Sequence, residues 1–468
     1  MAQMVEGMLS KLAAEVQAGS TSAVSLVERA LSRLDQNRDL NTVVELRTAE
    51  ALSDARLIDA RVAAGERVGA LAGVPALVKD NQDVAGLPTR QGSLLLADAP
   101  PAVRDGVSPH RLRAAGAIVI GKSNVPEFCI EGFTDNEVSG ATRNPWDRRM
   151  SPGGSSGGSA AALAAGLVPL ATATDGGGSA RIPAALCGLL GFKPTNGVIG
   201  RRGAPEWIDF TTDGIMTTTV DDARLLFKVL AGPIAGDPNA LPSPLPPARA
   251  PARLIVAERT DALGPLPHIV ATAFAAAVDQ LAALLGLPVE RRAPTNFFTG
   301  GSPDHDWFVL ATAEHAALIG RATIETRNDQ LGFSAREFFA EGLNVSIEEY
   351  LAARRRRFDY IEQLDNLLGA DALLVTPSLA VTGFLADGRA DEAGSIRSLP
   401  ADTYSTAIQN MTGLPAVSLP AAPLPDGMPF GLQLTGPRWS DHMLLSIAAR
   451  WEEAFPWPET APEYERFA

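Results

Sequence analysis

The stretch "SPGGSSGGSAAALAAGLVPLATATDGGGSARIPAALCG", residues 151–188, has the densest concentration of candidate reactive groups in the sequence. It holds two glycine–serine clusters, one at 153–158 and one at 175–179. In the first cluster, Ser155 and Ser156 both match G-x-S-x-G, the pattern of a nucleophile on a tight turn after a strand. The preceding residues, "RRMSPG", make a poor strand, so the pattern alone does not predict such a turn.

The second cluster is better built for stabilising a negatively charged oxygen. Three successive glycines, Gly176, Gly177 and Gly178, leave their backbone N–H groups unobstructed by a Cβ atom. Donors aimed at the oxygen of a tetrahedral intermediate contribute about 2.7–4 kcal/mol each to catalysis. Ser179 directly follows these donors and is therefore a candidate nucleophile. A glycine-rich turn without chemistry is the alternative, and the cluster alone leaves it open.

A serine hydroxyl needs a base to remove its proton. The five histidines are scattered without a zinc-ligand spacing: His110, His268, His305, His315 and His442. His442 lies in "WSDHMLLSIAARWEEA", which is typical of an ordinary helix start. Lys79 is a better candidate, because "ALVKDN" predicts a buried strand and desolvation favours a neutral amine. A lysine that reaches solvent is the other interpretation, and both remain open here.

Composition and charge narrow the classes of function. The chain has 468 residues, 46% of them hydrophobic, and a formal net charge of −14. These values predict a sizeable core and argue against nucleic acid or an anionic membrane as a partner. The two cysteines, Cys129 and Cys187, form no C-x-x-C pair. Neither a disulfide framework nor a metal site is predicted.

Targeting signals are not expected in this sequence. The first twenty residues lack a basic start followed by an apolar run, as a signal peptide would have. The Ala-rich stretch 160–174 is interrupted by Gly166 and Pro169 and is too short to span a bilayer. The basic run at 354–357 lies in a helical pattern and is predicted to form a solvated face. We expect a soluble, cytoplasmic protein.

The segment "GAIVIGKSNVPEF", residues 116–128, matches the nucleotide-binding pattern G-x-x-x-x-G-K-[ST]. In that site the glycines belong to a loop between a strand and a helix. Here the residues between Gly116 and Gly121 are aliphatic and predict the strand itself. Because Pro126 follows closely, a helix beginning at Lys122 is disfavoured. The match is therefore interpreted as coincidental.

Helical and strand-like segments alternate along most of the chain, which predicts an α/β sheet protein. "TSAVSLVERALSRLDQ" and "TAEALSDARLIDARVAAGE" predict two early helices. "GVPALVKDN" predicts a strand, as do "DALLVTPS", "LPAVSLP" and "GLQLTG" near the other end. Strand-like segments lie on both sides of the Pro-rich stretch 231–252, so one domain is favoured over two.

Several motifs together resemble the amidase signature family. They are "GVPALVKDN", "GLPTRQGS", "GKSNVPEF", "NPWD", the whole of 151–188 with the following "LLGFKPT", "MTGLPAVSLP" and "GLQLTG". They occur in the order typical of the family and span most of residues 20–450, most densely 73–197. The resemblance implies an α/β fold with a large mixed β-sheet covered on both faces by helices.

The resemblance also implies how this single domain, residues 1–468, is organised. A helical N-terminal segment would occupy 1–66 and the catalytic core 67–200. A variable helical region that contacts substrate would span about 230–370. The chain would return to the core sheet over 371–450.

The Ser–Ser–Lys arrangement of the family implies roles for three residues. Ser179 would be the nucleophile and Lys79 the general base. Ser155, 24 residues before Ser179, would relay protons between them. The resemblance also implies a cis peptide bond between Gly154 and Ser155. No metal or organic cofactor is implied.

Residues around the nucleophile would support it. The oxyanion hole would be formed by the backbone N–H groups of Gly176, Gly177, Gly178 and Ser179. Site support would come from Ser156, Asp175 and Arg181, whereas Cys187 would be structural. The sequence departs from the family pattern at Gly176 and Ala180, where bulkier residues are usual. We expect these two substitutions to open the pocket to wider acyl or leaving groups.

The substrate is less well defined by the sequence. Candidate pocket residues are Cys129, Ile130, Phe133, Trp207 and Phe210, with Phe297 and Trp307 as further aromatic candidates. Few charges flank these positions in the sequence, which favours an uncharged, apolar or aryl amide, or a carbamate (urethane). We expect a hydrolase of non-peptide carbon–nitrogen bonds that acts on a small molecule as a monomer or homodimer. The alternatives are the glutaminase subunit of a tRNA-dependent amidotransferase and a binding protein with a degenerate site.

Overall fold

The computed structural model describes residues 7–202, 210–241, 245–260, 265–293, 297–388 and 405–467. Within these ranges the chain forms fourteen α-helices. They are α1 (Met8–Gln17), α2 (Ala23–Gln36), α3 (Thr48–Ala63), α4 (Val107–Ala114), α5 (Gly157–Ala164), α6 (Arg181–Cys187), α7 (Val220–Leu230), α8 (His268–Leu285), α9 (Pro303–Ile319), α10 (Arg321–Thr326), α11 (Phe333–Asn344), α12 (Ile347–Leu368), α13 (Ala407–Thr412) and α14 (Asp441–Ala454).

The same ranges contain twelve strands. They are β1 (Val43–Leu46), β2 (Pro75–Lys79), β3 (Ile118–Ser123), β4 (Leu170–Ala171), β5 (Ala173–Asp175), β6 (Leu190–Lys193), β7 (Thr212–Thr217), β8 (Arg253–Val256), β9 (Val289–Arg291), β10 (Ala372–Pro377), β11 (Ala416–Ala421) and β12 (Phe430–Thr435). The two early helices and the four strands predicted from the sequence are all present.

The strands form one eight-stranded and one four-stranded sheet. The larger has the order β5-β7-β6-β11-β12-β10-β8-β9 and the smaller the order β1-β3-β2-β4. Both are mixed: β2 is parallel to β3 and β4, and β8 is parallel to β9 and β10, whereas the other pairs are antiparallel. Only Thr172 separates β4 from β5, so the chain passes directly from one sheet to the other.

Helices cover both faces of the larger sheet, which confirms the predicted fold class. Gly191 and Phe192 are neighbours in β6, so their side-chain positions face opposite sides. A Cβ atom on Gly191 would lie 2.6 Å from the Cβ of Ala184, which places α6 against one face. The ring of Phe192 packs edge-on against Phe227 of α7 on the other face, with 5.5 Å between ring centroids.

The segment that matched the nucleotide-binding pattern has the order predicted for it. Helix α4 ends before Gly116, which has a positive φ of 95°, and β3 follows at once. Lys122 lies inside β3, is fully buried and pairs with Asp80, with Nζ 2.9 Å from Oδ1. A lysine held in this way inside a strand is not at a helix N-terminus, where a nucleotide phosphate would bind.

Two details differ from the sequence expectations. The N-terminal segment is not purely helical, since β1 pairs with β3. The basic run 354–357 is only in part a solvated face, because Arg357 lies on the buried stripe of α12 that packs against α9 and α13, whereas Arg355 is exposed. Three of its arginines bind within the fold: Arg354 with Glu314, Arg356 with Asp306, and Arg357 with the carbonyl of Met411.

Among the described residues, one helix, α8, is long and apolar enough by length and composition to cross a membrane. Its residues Val270, Phe274, Val278 and Leu281 recur every three or four positions and are buried in the main core. The helix contacts α14, β10 and β12. This spacing is typical of a helix that packs one face on a sheet.

Candidate active site

Strand β2 ends at Lys79, whose side chain is fully buried. Its Nζ donates a hydrogen bond of 2.7 Å to Ser155 Oγ and one of 2.8 Å to Thr174 Oγ1. Its backbone N–H donates to Thr172 Oγ1 at 2.9 Å, which ties the end of β2 to the chain between β4 and β5. The buried-strand interpretation of Lys79 is correct, and the solvated one is wrong.

Ser155 lies in a turn that closely approaches its neighbours. The peptide bond between Gly154 and Ser155 is cis. A Cβ atom on Gly154 would lie 2.5 Å from the carbonyl oxygen of Phe133 and 2.6 Å from that of Glu131. Since real Cβ atoms do not approach other atoms so closely, only glycine fits before Ser155. This close packing fixes the turn in which Ser155 Oγ accepts the hydrogen bond from Lys79 Nζ.

The two glycine–serine clusters meet in the structure. The backbone N–H of Ser156 donates to the carbonyl of Ser179 at 3.3 Å. The Ser156 hydroxyl lies 3.4 Å from the carbonyl of Thr174, at the long limit of a hydrogen bond. Ser179 is 8% exposed, which leaves a small part of it accessible. The structure thus brings Lys79, Ser155 and Ser179 into one region, as the sequence motifs predicted.

The loop between β5 and α6, residues 176–180, is organised around one carboxylate. Asp175 Oδ1 accepts from the N–H of Gly178 at 2.9 Å, and its Oδ2 accepts from that of Ala180 at 3.3 Å. The Gly178 N–H is therefore already engaged by the Asp175 carboxylate. This corrects the predicted oxyanion hole, leaving Gly176, Gly177 and Ser179 as candidate donors.

Asp175 and Arg181 form an ion pair with no exposed surface on either side chain. Arg181 Nη2 lies 2.8 Å from Asp175 Oδ1, and its Nε lies 2.9 Å from Oδ2. Burial alone would raise the pKa of Asp175, but Arg181, Lys193 and Asn410 outweigh burial and hold it at about 2. The Arg181 guanidinium also donates to Gln409, Gln433, Asn410 and the carbonyl of Thr406. Both residues therefore brace the loop.

Two side chains from distant segments bind successive carbonyl groups of Gly176–Gly178, which we call the glycine row. The sequence did not predict either contact. Trp307 Nε1 donates to the Gly176 carbonyl at 2.9 Å. Thr406 Oγ1 donates to the Gly177 carbonyl at 2.6 Å. Thr406 directly precedes α13, whose many polar residues, such as Asn410, were an available signal because buried polar side chains need partners.

The predicted pocket residues have different positions. Ile130 and Phe133 line a cavity of about 350 Å³ that adjoins the Gly154 turn. Cys129 is buried at 5% exposure, and Phe210 is fully buried beneath Arg357, 5.4 Å from ring centre to guanidinium carbon. Phe210 is thus a core residue, as is Phe297, which packs on Phe298. Trp207 lies outside the described residues.

The cavity at Ile130 and Phe133 does not have the sparse charge that the sequence suggested. Its lining includes five carboxylate side chains: Glu127, Glu131, Asp135, Glu137 and Asp387. Burial raises the pKa of Glu131 to about 7, against the effect of a hydrogen bond from Ser334. The cavity is therefore unfavourable for an anionic group.

Other candidate groups lie apart from this chemistry. Burial raises the pKa of the Cys187 thiol well above its ordinary value, which suits a structural residue. His442 is at the start of α14 and packs against Phe227, with 5.3 Å between ring centroids. Within the described ranges, no group of three or more His, Cys, Asp or Glu side chains could hold a metal ion.

Comparison with known proteins agrees with this geometry. Residues 25–445 match the family model described as Amidase. The chain is 34% identical to a putative amidase, AmiA2, of Mycobacterium tuberculosis, over 97% of this chain and 94% of that protein. It is 33% identical to an acylamidase of Rhodococcus erythropolis (97% and 96% covered). It is also 31% identical to a glutamyl-tRNA(Gln) amidotransferase subunit of Trichormus variabilis (94% and 96% covered).

Solved structures show the same relationship. A bacterial aryl acylamidase superimposes with a TM-score of 0.86 at 26% identity, with 96% of each chain covered. A 6-aminohexanoate cyclic dimer hydrolase does so with a TM-score of 0.83 at 27% identity (96% and 97% covered). Fold, site and matches together define an enzyme that hydrolyses carbon–nitrogen amide bonds. The chain belongs to the amidase signature family.

Proposed function

We propose that the protein is a serine amidohydrolase that works through an acyl-enzyme on Ser179, with Ser155 and Lys79 completing the triad. The observation that carries the proposal is the buried 2.7 Å hydrogen bond between Lys79 Nζ and Ser155 Oγ, in the turn that meets the Ser179 loop. A base linked to the nucleophile by a hydroxyl is the arrangement that activates serine where histidine is lacking.

In the proposed reaction, Ser179 Oγ attacks the substrate carbonyl and its proton passes through Ser155 to neutral Lys79. The resulting oxyanion is stabilised by backbone N–H groups drawn from Gly176, Gly177 and Ser179. Protonated Lys79 then returns the proton through Ser155 to the nitrogen as the carbon–nitrogen bond breaks. Water attacks the acyl-enzyme with the same groups as base and acid, which releases the acid and restores Ser179.

The substrate we propose is an uncharged amide or carbamate (urethane) with an apolar or aryl group. Its support is the acylamidase and aryl acylamidase relatives, together with the carboxylate-lined cavity beside the Gly154 turn, which disfavours an anionic group. Ala180 does not contribute to this pocket as the sequence suggested, because it is fully buried and a Cβ atom on Gly214 of β7 would lie 2.5 Å from its own Cβ. We infer a cytoplasmic enzyme that acts as a monomer or homodimer.

A glutaminase of the amidotransferase type is the second candidate, because an amidotransferase subunit is among the relatives. Such a protein must bind the α-carboxylate of glutamine. The arginines of the run 354–357 that lie against the fold bind acidic side chains or a carbonyl instead. The cavity beside the Gly154 turn is lined by carboxylates, which would repel that group. These observations favour the amidohydrolase.

The test measures amine or ammonia release from a panel: an aliphatic primary amide, glutamine, an aryl anilide, an aryl carbamate and a hydrazide. We expect turnover of the anilide or carbamate, and its loss in Ser179→Ala. The control is Ser446→Ala, an exposed serine of α14, which should keep full activity. Turnover that persists in Ser179→Ala would disprove the mechanism. Release from glutamine alone would favour the glutaminase, and binding without turnover a degenerate site.

A further inference from the structure

The two peptide planes of the glycine row are held in different ways. In a trans peptide, the carbonyl and the following N–H point in opposite directions. The plane between Gly177 and Gly178 is held at both ends, by Thr406 on its carbonyl and Asp175 on its N–H. The plane between Gly176 and Gly177 is held at its carbonyl by Trp307. The N–H of Gly177 therefore points away from the indole.

Glycine makes this second plane easy to rotate. Neither Gly176 nor Gly177 has a Cβ atom to restrict its dihedral angles. The indole also packs against the chain here: a Cβ atom on Gly177 would lie 2.8 Å from Trp307 Cζ2 and 3.1 Å from Cε2. Trp307 thus donates a hydrogen bond to the Gly176–Gly177 peptide group and packs its ring against Gly177.

The helix that carries Trp307 is anchored next to it. Asp306, fully buried, accepts from Arg356 Nε at 2.8 Å and from the Tyr360 hydroxyl at 2.6 Å, both on α12. Because Asp306 and Trp307 are adjacent in α9, this polar cluster fixes the point from which the indole reaches the loop. The packing of α9 against α12 therefore sets the position of the indole.

We propose that Trp307 is a positioning residue of the reaction: its indole N–H holds the Gly176 carbonyl so that the Gly177 N–H donates to the oxyanion. The inference rests on the amidohydrolase function proposed above. It predicts that removal of the indole N–H weakens stabilisation of the transition state and leaves binding of the ground state nearly unchanged.

Two variants separate the N–H from the bulk of the ring. Trp307→Phe removes the donor and part of the ring, whereas replacement of Trp307 by β-(3-benzothienyl)alanine keeps the bicyclic shape and substitutes sulfur for N–H. With the fastest substrate of the panel, we expect kcat to fall roughly 10- to 100-fold in both, part of the full loss of an oxyanion donor. KM should change by less than about threefold, since uniform binding is retained. Phe308→Leu, at the next position of α9, is the control and should keep the wild-type kcat.

A second measurement uses inhibitors. A trifluoromethyl ketone that carries the acyl group of the substrate forms a tetrahedral adduct with an oxyanion, so its Ki should rise in proportion to the loss of kcat/KM. The Ki of the product amine should stay constant. Unchanged kcat in the benzothienyl variant, or equal changes in both Ki values, would overturn the positioning role.

Wild type and Ser179→Ala are measured in the same series. If wild type is active, Ser179→Ala is inactive and both Trp307 variants are unimpaired, the inference fails and the proposed function stands. If wild type is inactive, or Ser179→Ala retains activity, the proposed function fails and the inference fails with it.

Discussion

Lys79 Nζ and Ser155 Oγ are joined by a 2.7 Å hydrogen bond between side chains that are at most 1% exposed. The amine also binds the hydroxyl of Thr174. A hydroxyl can accept from an ammonium group and donate to a neutral amine. The same contacts therefore suit both protonation states that a proton relay has to pass through.

Replacement of Lys79 by methionine should lower kcat about 10²- to 10⁴-fold, because general base catalysis is lost. Lys79→Arg should be equally impaired, since a guanidinium keeps its positive charge but does not accept a proton. Steady-state kinetics on the best panel substrate measure this, with Lys228→Met on the exposed side of α7 as the matched control. An active Lys79→Arg enzyme would show that Lys79 supplies charge rather than a base.

The two adjacent serines of the first cluster should differ in importance. Ser155→Ala breaks the contact with Lys79, so we expect a loss of kcat comparable to that of Lys79→Met. Ser156→Ala removes only a 3.4 Å contact with the Thr174 carbonyl, so its loss of kcat should be smaller than that of Ser155→Ala by a factor of about ten or more. Acylation rates from single-turnover experiments provide the comparison. A larger effect at Ser156 than at Ser155 would reverse the assignment of the relay.

The Asp175–Arg181 pair should matter for stability as well as activity. Asp175→Asn leaves the guanidinium buried without its counter-charge, which costs about 3–5 kcal/mol of unfolding free energy. Denaturant unfolding at neutral pH measures the loss. The matched control is Asp35→Asn, which breaks the exposed pair with Arg38 and should cost no more than about 1 kcal/mol. Equal losses in the two variants would contradict the bracing role of Asp175.

The sequence was most informative where a motif acts locally. Ser155 and Ser179 belong to short segments whose glycines are required by close packing, as at Gly154, and Lys79 ends a strand with an apolar pattern. The fold class followed from alternating elements. These features depend on residues that are near each other in the chain, so the motifs contain most of the information.

Contacts between distant segments were not predictable in this way. Trp307 and Thr406 bind the glycine row from 131 and 229 residues away. Aromatic composition could not separate Phe210, buried beneath an arginine, from Trp307, which lines the loop. The engagement of Gly178 by Asp175 was also hidden, since a run of glycines does not reveal which N–H groups turn inward.

A carboxyl far from the active site gives a test of the electrostatics of the fold. Glu452 of α14 accepts from the Val220 N–H with its two oxygens at 3.1 and 3.3 Å. Burial, together with repulsion from Asp221 and Glu459, raises the pKa of Glu452 to about 7, despite the Val220 contact. Its ordinary value in an unfolded chain is about 4.3.

Because the folded state binds this proton more tightly, ionisation of Glu452 costs stability progressively as the pH rises from about 4.3 to about 7. Glu452→Gln keeps an acceptor for the Val220 N–H and cannot ionise. The Tm of the variant relative to wild type should therefore rise between pH 5 and pH 8 and level off above. Glu453→Gln, at the exposed neighbouring position, should show no such trend. A Tm difference that is the same at both pH values would mean that Glu452 ionises as easily in the folded protein as in the unfolded chain.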